Sequence, residues 1–214
     1  MSATDGIKGV VPREYASAQP FRYQFKLLKE IERVLSPLPR GSRILDAGCG
    51  NGFIAGELHK RGFTVVGIDV SESGIAICKA AYPDVSFHVA SICDETLSTA
   101  TGGEFDAIIA FEVIEHIYSP ATFLNNCRNL LKTGGTLIIS TPYHGYLKNL
   151  VLALTGKMER HFQPTHEGGH IKFWSRKSLL SELRQFEFRV DEFIGIGRIP
   201  FLWKSMMVKA VKAT

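Results

Sequence analysis

The sequence predicts a doubly wound α/β fold built on a mostly parallel, seven-stranded sheet. Strand-like and helix-like segments alternate five times between residues 43 and 140, with short connections. This alternation is typical of a parallel sheet that is covered by helices on both faces. The strand segments are nearly continuous apolar runs such as DAIIAF and TLIIS, as expected for strands buried on both faces.

The individual elements can be placed in order along the chain. A helix is predicted over residues 20–35 and is ended by a Ser-Pro-Leu-Pro sequence. Strands are predicted at residues 43–45, 64–68, 85–89, 105–111 and 136–140. Helices are predicted at residues 53–61, 72–81, 121–131 and 175–184, and a further helical pattern begins at Glu112.

The end of the chain is predicted to complete the sheet. Two closing strands are expected at residues 186–194 and 206–211, although the second segment could instead form a basic amphipathic helix on a membrane. The alternation of Val208 and Ala210 favours the strand. Before these strands, residues 143–170 form a long connection with a helix candidate at 147–154, and such connections are often functional lids.

Composition limits the class of protein. The 214 residues, 45% of them hydrophobic, suit one globular domain over residues 1–214, with an N-terminal helical segment over 1–40. The net charge of +4 is spread along the chain, so a nucleic-acid partner is not expected and a small-molecule acceptor is favoured. Isolated cysteines and the lack of a signal-like start predict a cytoplasmic protein. Peripheral membrane contact through 143–170 stays open.

A glycine-rich turn marks the predicted ligand-binding edge of the sheet. Gly48, Gly50 and Gly52 follow the first strand, and the string from Gly50 also satisfies the GxGxxA pattern of dinucleotide-binding proteins. Asp46 at the end of the strand would attract an ammonium group and repel a pyrophosphate. Asp69 ends the next strand, where it could accept both hydroxyls of a ribose.

These segments resemble the class I S-adenosylmethionine (SAM)-dependent methyltransferases. LDAGCGNG is similar to the first motif of that family, GIDVSE to the second and FDAIIAFEVIEHI to the fourth, and the resemblance covers residues 20–212. It implies that SAM is the cofactor and that Asp69 holds its ribose. It also implies contacts to the methionine moiety and the adenine from Gly48, Cys49, Gly50, Val70, Ser91 and Ile92. Many members have an Asp where this chain has Ser91.

A second cluster of polar residues follows the fourth strand. If the segment after Phe111 is helical, Glu112, Glu115 and His116 share one face, where they could hold a divalent cation such as Mg²⁺ or Mn²⁺. Alternatively, Glu112 starts the helix and the other two residues orient neighbouring backbone. His116, or another histidine in the pocket, could then accept a proton from the acceptor.

The resemblance becomes more specific at this cluster. PFRY, EVIEHI and STPY are similar to segments of the ubiquinone-biosynthesis O-methyltransferases, which methylate catechol hydroxyls. This resemblance implies metal binding at the ExxEH positions and SAM contacts from Arg22 and Phe111. The plant-type small-RNA 2′-O-methyltransferases share ExxEH and add a histidine in a segment like GHIKFWS, which makes His170 a candidate fourth ligand.

The predicted function is therefore methyl transfer from SAM to a hydroxyl of a small vicinal diol or catechol-like acceptor, selected by a lid at 143–170. The alternatives are a metal-free methyltransferase that acts on another small molecule or a lipid, a methyltransferase of RNA termini and a nicotinamide-dependent oxidoreductase. A SAM-binding protein without catalytic activity is a further alternative. Histidines of the lid, including His144, and Lys148 are expected to be solvated.

Overall fold

The computed structural model describes residues 13–94, 96–162 and 165–213. The strands form one seven-stranded sheet, and their bounds are β1 (Arg43–Ala47), β2 (Thr64–Asp69), β3 (Ser86–Val89), β4 (Phe105–Phe111), β5 (Leu131–Pro142), β6 (Phe188–Ile196) and β7 (Ser205–Lys212). The helices are α1 (Arg22–Leu35), α2 (Phe53–Lys60), α3 (Glu72–Ala81), α4 (Leu97–Thr101), α5 (Pro120–Leu130), α6 (Tyr146–Leu154), α7 (Met158–Phe162) and α8 (Arg176–Gln185).

The strand order confirms the predicted fold class. The order is β3-β2-β1-β4-β5-β7-β6, with β1 to β5 parallel and β7 antiparallel between β5 and β6. The order reverses between β1 and β4, and open α/β sheets bind ligands in the crevice that forms at such a reversal. The glycine-rich turn after β1 and the ExxEH segment after β4 both lie at this crevice.

Both faces of the central strands are buried, which holds the crevice in place. Along β1, Leu45 packs into the core cluster on one face and Ile44 into the cluster on the other. Along β4, Ile108 and Ile109 divide between the two clusters in the same way. Because side chains alternate across a strand, apolar residues at every position anchor both faces. The polar residues that follow these strands therefore have a rigid base.

The predicted helix from Glu112 is wrong. Glu112 has a positive φ of 53°, so the backbone turns sharply at the end of β4. Only Ile114–His116 then form a short 3-10 turn, and α5 starts afresh at Pro120 with the Ser119 hydroxyl as its cap. The Ser-Pro pair is a strong start signal that separates this turn from the helix. The helix α4 was not predicted.

The C-terminal part of the chain forms two strands, β6 and β7, which confirms the prediction of two closing strands. Ser205–Lys212 pairs with β5 and β6 over its whole length, so the alternative of a membrane-surface helix for this segment is wrong. Val208 and Ala210 are buried in the sheet, and this burial explains why the segment forms a strand and not a surface helix. No helix within the described ranges of the chain is long and apolar enough to cross a membrane.

The connection between β5 and α8 contains α6 and α7, and hydrogen bonds join its two ends to each other and its last part to the ExxEH turn. The His144 amide donates to the Trp174 carbonyl at 2.8 Å, which holds the two ends of the connection together. The amides of Ile171 and Lys172 both donate to the Glu115 carbonyl, at 2.9 and 3.0 Å. The second attachment brings the end of the connection against the ExxEH turn.

Candidate cofactor and acceptor site

The glycine-rich turn requires glycine for its conformation and for the space around it. Gly48, Gly50 and Gly52 have φ values of 82°, 56° and 76°, in the left-handed region that favours glycine. A Cβ atom on Gly48 would also overlap the side chain of Val113, which follows β4. The turn and the ExxEH segment are therefore in direct contact.

The backbone amides of this turn are already used within the protein. Those of Gly48 and Cys49 donate to the Ile68 carbonyl at 2.8 and 2.9 Å, and that of Gly50 donates to the Asp69 carboxylate at 2.8 Å. A dinucleotide-binding loop instead offers its free amides and the following helix N-terminus to a pyrophosphate. This arrangement therefore favours a cofactor without phosphate over the nicotinamide alternative.

Asp69 lies where the ribose of an adenosine cofactor is expected. Its second oxygen accepts a hydrogen bond from the Ser71 amide at 2.9 Å, so both carboxylate oxygens are oriented by the backbone. Burial raises the pKa of Asp69, and the backbone hydrogen bonds oppose this effect. Each carboxylate oxygen retains a second lone pair, which can accept a hydrogen bond from one of two neighbouring hydroxyls.

Asp46 offers a buried carboxylate that can bind a cation. Its side chain is buried, and its Oδ2 atom has no hydrogen-bond partner among the described residues. Burial, and secondly the charge of Asp69, raises the pKa of Asp46 to about 7. An uncompensated buried carboxylate is costly, and a bound ammonium group would offset this cost. The ammonium of the SAM methionine moiety fits this requirement.

If Asp46 binds the cofactor's ammonium group, this raised pKa predicts that cofactor affinity depends on pH. An ammonium group binds the ionised form of Asp46, so lowering the pH below about 7 should weaken S-adenosylhomocysteine by up to about tenfold per pH unit. Calorimetry between about pH 5.5 and 8 measures this slope. The Asp46→Asn variant should bind S-adenosylhomocysteine more weakly, and its affinity should not change with pH over this range. An unchanged slope in that variant would show that another group titrates.

Adenine contacts are expected in the region after β3. The Asp94 carboxylate, which was not among the predicted site residues, organises this region. The Ser91 amide donates to the Asp94 carboxylate at 2.9 Å, and the Cys93 amide donates to the Ser91 hydroxyl at 3.1 Å. From α5, the Asn126 amide group donates to the Ile92 carbonyl at 2.8 Å. The Ser-x-x-Asp spacing of residues 91–94 is typical of a local side-chain turn, and this pattern could have identified Asp94 from the sequence.

Glu112 supports the acceptor side of the crevice but does not join the other two ExxEH residues. Its Oε1 atom accepts hydrogen bonds from the hydroxyls of Ser140 and Ser205, at 2.9 and 2.6 Å. Its amide donates to the Ser140 carbonyl at 3.0 Å. The predicted shared face of Glu112, Glu115 and His116 is therefore wrong, because the positive φ of Glu112 directs it towards β5 and β7.

Glu115, His116 and His170 form a compact group of potential metal ligands. One ligating atom from each residue lies within 4.8 Å of the other two. The rings of His116 and His170 are 5.0 Å apart between centroids. Glu115 is fully buried, and neither of its carboxylate oxygens has a hydrogen-bond partner within the described part of the chain. Burial, and secondly the charge of Glu112, raises the pKa of Glu115 well above its usual value.

The two histidines of this group are suited to act as neutral ligands or bases. The Nδ1 atom of His116 lies 3.2 Å from the Gly169 carbonyl, which can only accept a hydrogen bond. Nδ1 must therefore carry the proton, and Nε2 keeps its lone pair. Burial lowers the pKa of His116 and lowers that of His170 to about 4. Both rings are therefore neutral near pH 7.

Arg22 and Tyr23, neighbours at the start of α1, differ in their surroundings. Arg22, an expected SAM contact, is exposed, and its side chain makes no hydrogen bond or ion pair with the residues that the structure describes. The next residue, Tyr23, instead faces the acceptor side, where burial and the charges of Glu112 and Glu115 raise its pKa. Phe111 is half-buried at the end of β4, beside the crevice.

The expectation that His144 and Lys148 are solvated is wrong. His144 is 5% exposed and packs against a group of rings from the connection. These rings, which we call the lid aromatic cluster, are His144, His161, Phe162 and Phe173. Lys148 is also 5% exposed and donates to the Tyr143 carbonyl at 2.6 Å. His144 is covered by the rings of this cluster, and Lys148 by the backbone at Tyr143 and Lys204.

Comparison with known proteins identifies the family. A family model described as a methyltransferase domain matches residues 21–192. A ubiquinone biosynthesis O-methyltransferase of Roseobacter denitrificans is 33% identical over 205 residues, which are 94% of this chain and 74% of that protein. One from a Caulobacter species is 37% identical over 118 residues, 54% of this chain and 46% of that protein. The chain thus spans about three-quarters of the first relative and about half of the second.

Solved structures show the same fold. The magnesium protoporphyrin IX methyltransferase of Synechocystis, solved with bound S-adenosylhomocysteine, has a TM-score of 0.66 at 17% identity, covering 93% of this chain and 90% of that one. With the family model covering most of the chain, these matches show that the protein belongs to the SAM-dependent methyltransferases and is similar to the ubiquinone biosynthesis O-methyltransferases.

Proposed function

We propose that this protein transfers a methyl group from SAM to a hydroxyl oxygen of a small vicinal diol or catechol-like acceptor. In this proposal a divalent cation, Mg²⁺ or Mn²⁺, is held by Glu115, His116 and His170. The observation that carries it is the convergence of these three residues next to the cofactor crevice, with both Glu115 oxygens buried and unpartnered among the described residues.

Charge balance supports a cation at this position. A buried carboxylate without hydrogen bonds is strongly disfavoured unless it is protonated or neutralised by a nearby positive charge. The raised pKa of Glu115 expresses this cost. Two neutral imidazoles beside one carboxylate form a donor set that divalent cations accept, and a bound cation would favour the ionised form of Glu115.

The chemical role of each residue follows from its surroundings. A divalent cation supplies Lewis acidity that orients adjacent oxygens and lowers the pKa of a hydroxyl. Because Nδ1 of His116 carries a proton, its single Nε2 lone pair can either bind the cation or accept the hydroxyl proton, so with the cation bound the proton would pass to another base of the pocket or to solvent. Glu112, bonded to Ser140 and Ser205, keeps the end of β4 in register with β5 and β7 and adds negative charge next to Glu115.

The connection between β5 and α8 would select the acceptor. We propose that residues 143–170 act as a lid of a single methyltransferase domain that spans residues 1–214. The lid aromatic cluster offers flat apolar surfaces against which an aromatic acceptor can stack. His170 lies at the end of this lid, so lid closure and completion of the cation site would be one event.

A comparison of acceptors tests this function directly. A benzene ring with adjacent hydroxyls can chelate a cation through both oxygens, whereas its isomer with separated hydroxyls cannot. Transfer of labelled methyl from SAM should therefore be seen with the first acceptor and be lost in EDTA. Full transfer to both isomers in EDTA would instead support a metal-free methyltransferase that uses His116 as the base. That second candidate is favoured only by the free Nε2 atom of His116.

We also propose that α6 binds to the surface of a membrane without crossing it. The burial pattern of this helix is the reverse of the usual one. Its buried residue is the basic Lys148, whereas Tyr146 and Leu154 are 83% and 78% exposed. Leu147, Leu150 and Val151 are exposed as well. An exposed apolar helix face is typical of attachment to a membrane interface or to a partner. The basic residues that follow α6 at 157 and 160 favour an anionic surface.

Sedimentation with vesicles tests this contact. The protein should pellet with phosphatidylglycerol vesicles and less with phosphatidylcholine vesicles. The variant Leu150→Glu with Leu154→Glu should stay in the supernatant, because two charges would have to leave water. Ala76→Glu with Ala80→Glu, at exposed positions of α3, gives the same change in net charge and should still pellet. Equal pelleting of all three proteins would contradict α6 as the contact.

A further inference from the structure

Lys148 carries a buried positive charge and forms no ion pair with the residues that the structure describes. Its Nζ atom lies 2.6 Å from the Tyr143 carbonyl oxygen and 3.5 Å from that of Lys204, and both acceptors are neutral. Burial, and secondly the charge of Arg198, lowers the pKa of Lys148 to about 8, so the ammonium group stays mostly charged near pH 7. A buried charge without a counter-ion is costly, and an anionic ligand would offset this cost.

Two further basic side chains lie close to Lys148, in the connection between β6 and β7. A Cβ atom on Gly197 would lie 3.6 Å from the Lys204 Cβ atom, which places the neighbouring Arg198 beside Lys204. The charge of Arg198 acts on Lys148 and on His161 of the lid aromatic cluster. We call Lys148, Arg198 and Lys204 the lid basic cluster, and within the described ranges none of them forms an ion pair.

The lid basic cluster borders the acceptor site. The Nζ atom of Lys204 lies 5.9 Å from the centroid of the Tyr23 ring, which faces that site. Burial raises the pKa of Glu112, and the charges of Lys204 and Lys148 are among the effects that oppose this rise. Burial is the main cause of the lowered pKa of His170, and the charge of Lys148 contributes to it. A group bound by the cluster would therefore belong to a molecule whose other end reaches the proposed cation site.

The charges of this cluster favour a phosphate over a carboxylate. Glu112 is the carboxylate whose charge acts on Lys148, so three positive charges face one negative charge and two remain unbalanced. A phosphate monoester carries a charge of about −1.5 to −2 at pH 7, whereas a carboxylate carries a single negative charge. The guanidinium of Arg198 provides paired donors for phosphate oxygens, and the ammonium groups of lysines bind phosphate as point charges.

We propose that the methyl acceptor is a vicinal diol that carries a phosphate monoester, and that the lid basic cluster binds this phosphate. The inference rests on the proposed function, because it names the acceptor class of the same site. Arg198 and Lys204 are exposed, so a ligand can reach them from solvent, and Lys148 provides the buried charge. Lys148 is on the buried face of α6, whereas Leu150 and Leu154 are on the exposed face that we assign to a membrane. We therefore assign the phosphate to the acceptor and not to a lipid headgroup.

Calorimetry with three catechols isolates the phosphate contact. Each has a two-carbon side chain that ends in a phosphate ester, a carboxylate or a neutral hydroxyl group, and S-adenosylhomocysteine is present so that no turnover occurs. The phosphate ester should bind about tenfold to a hundredfold more tightly than the alcohol, the scale of hydrogen bonds to charged groups, and the carboxylate should lie between them. Because all three probes share the diol, its contribution cancels in this comparison.

Variants of the cluster locate the contact. Arg198→Gln and Lys204→Gln should each weaken the phosphate ester by about tenfold and change the affinity for the alcohol by less than about twofold. Both side chains are exposed, so neither change should lower the melting temperature. Lys148→Met should reduce the same preference, with binding of the alcohol as the check that the site is intact. Lys79→Gln, the same charge change at an exposed position of α3, should bind all three probes as the wild type does.

The possible results separate this inference from the function on which it rests. Equal affinity for the phosphate ester and the alcohol, with methyl transfer to the alcohol, would overturn the inference and leave the proposed function in place. Tighter binding of the carboxylate than of the phosphate ester would overturn it as well, and so would a preference for phosphate that survives in all three cluster variants. Displacement of the phosphate ester by phosphatidylglycerol vesicles would assign the cluster to membrane lipids instead. Absence of methyl transfer from SAM to every probe would contradict the proposed function, even where the preference for phosphate is found.

Discussion

Glu115→Gln is expected to abolish methylation of a diol acceptor, with a loss of at least about a hundredfold in turnover. Glutamine keeps the volume of the side chain but would provide no negative charge for the proposed cation, whose Lewis acidity would supply several kcal/mol of the barrier reduction. The site lies beside the cofactor turn and not within it, so affinity for S-adenosylhomocysteine should change by less than about twofold. Turnover and calorimetry on the same preparation measure both.

Metal binding gives a readout that does not depend on activity. Mn²⁺ should raise the melting temperature of the wild-type protein and not that of Glu115→Gln, since only a ligand of the native state stabilises it. Without metal, the variant should be at least as stable as the wild type, because it removes a buried, unpartnered carboxylate. Glu112→Gln is the matched control, and it should retain the Mn²⁺ shift. A normal shift in Glu115→Gln would refute the proposed ligand set.

Asp69→Ala is expected to weaken binding of SAM by about 1.5–3 kcal/mol, which is roughly tenfold to 150-fold. The Asp69 carboxylate is oriented by the amides of Gly50 and Ser71, so its loss would remove the acceptors proposed for the ribose hydroxyls and would also loosen the turn. Titration calorimetry measures the affinity. In a thermal shift assay, S-adenosylhomocysteine should stabilise the wild-type protein and NAD should not.

The control for this variant is Asp84→Ala, which removes an exposed carboxylate between α3 and β3. It should bind SAM as the wild type does. Unchanged affinity in Asp69→Ala would mean that the ribose lies elsewhere in the crevice. A larger stabilisation by NAD than by S-adenosylhomocysteine would contradict the use of SAM, whatever the variants show.

Much of the fold can be read from local patterns. Continuous apolar runs over β4 and the end of β5 predicted strands covered on both faces, and the structure buries both. The period-two pattern of β7 predicted a strand against the alternative of a surface helix, and β7 pairs on both sides. These predictions succeed because the period of apolar residues directly reflects which face is buried.

The acceptor side could not be predicted from local patterns in the same way. The spacing of Glu112, Glu115 and His116 suits one helix face, yet Glu112 takes a positive φ to bond with Ser140 and Ser205. Ser205 is far along the chain, so no local pattern can contain this contact. The burial of Lys148 likewise depends on its contacts with the Tyr143 and Lys204 carbonyls, whereas the basic residues nearby in the sequence suggested a solvated side chain.

The sequence by itself determined the doubly wound sheet, the glycine turn at its switch point and the acids Asp46 and Asp69 at the ends of neighbouring strands. These features follow from local periodicity and from the rule that parallel strands end on one edge. The resemblance made His170 a candidate ligand, but only the tertiary structure decided that it joins Glu115 and His116 without Glu112, and that Tyr15 lies over Gly50. Both contacts join segments far apart in the chain, so the packing of the whole domain, and no local preference, brings them together.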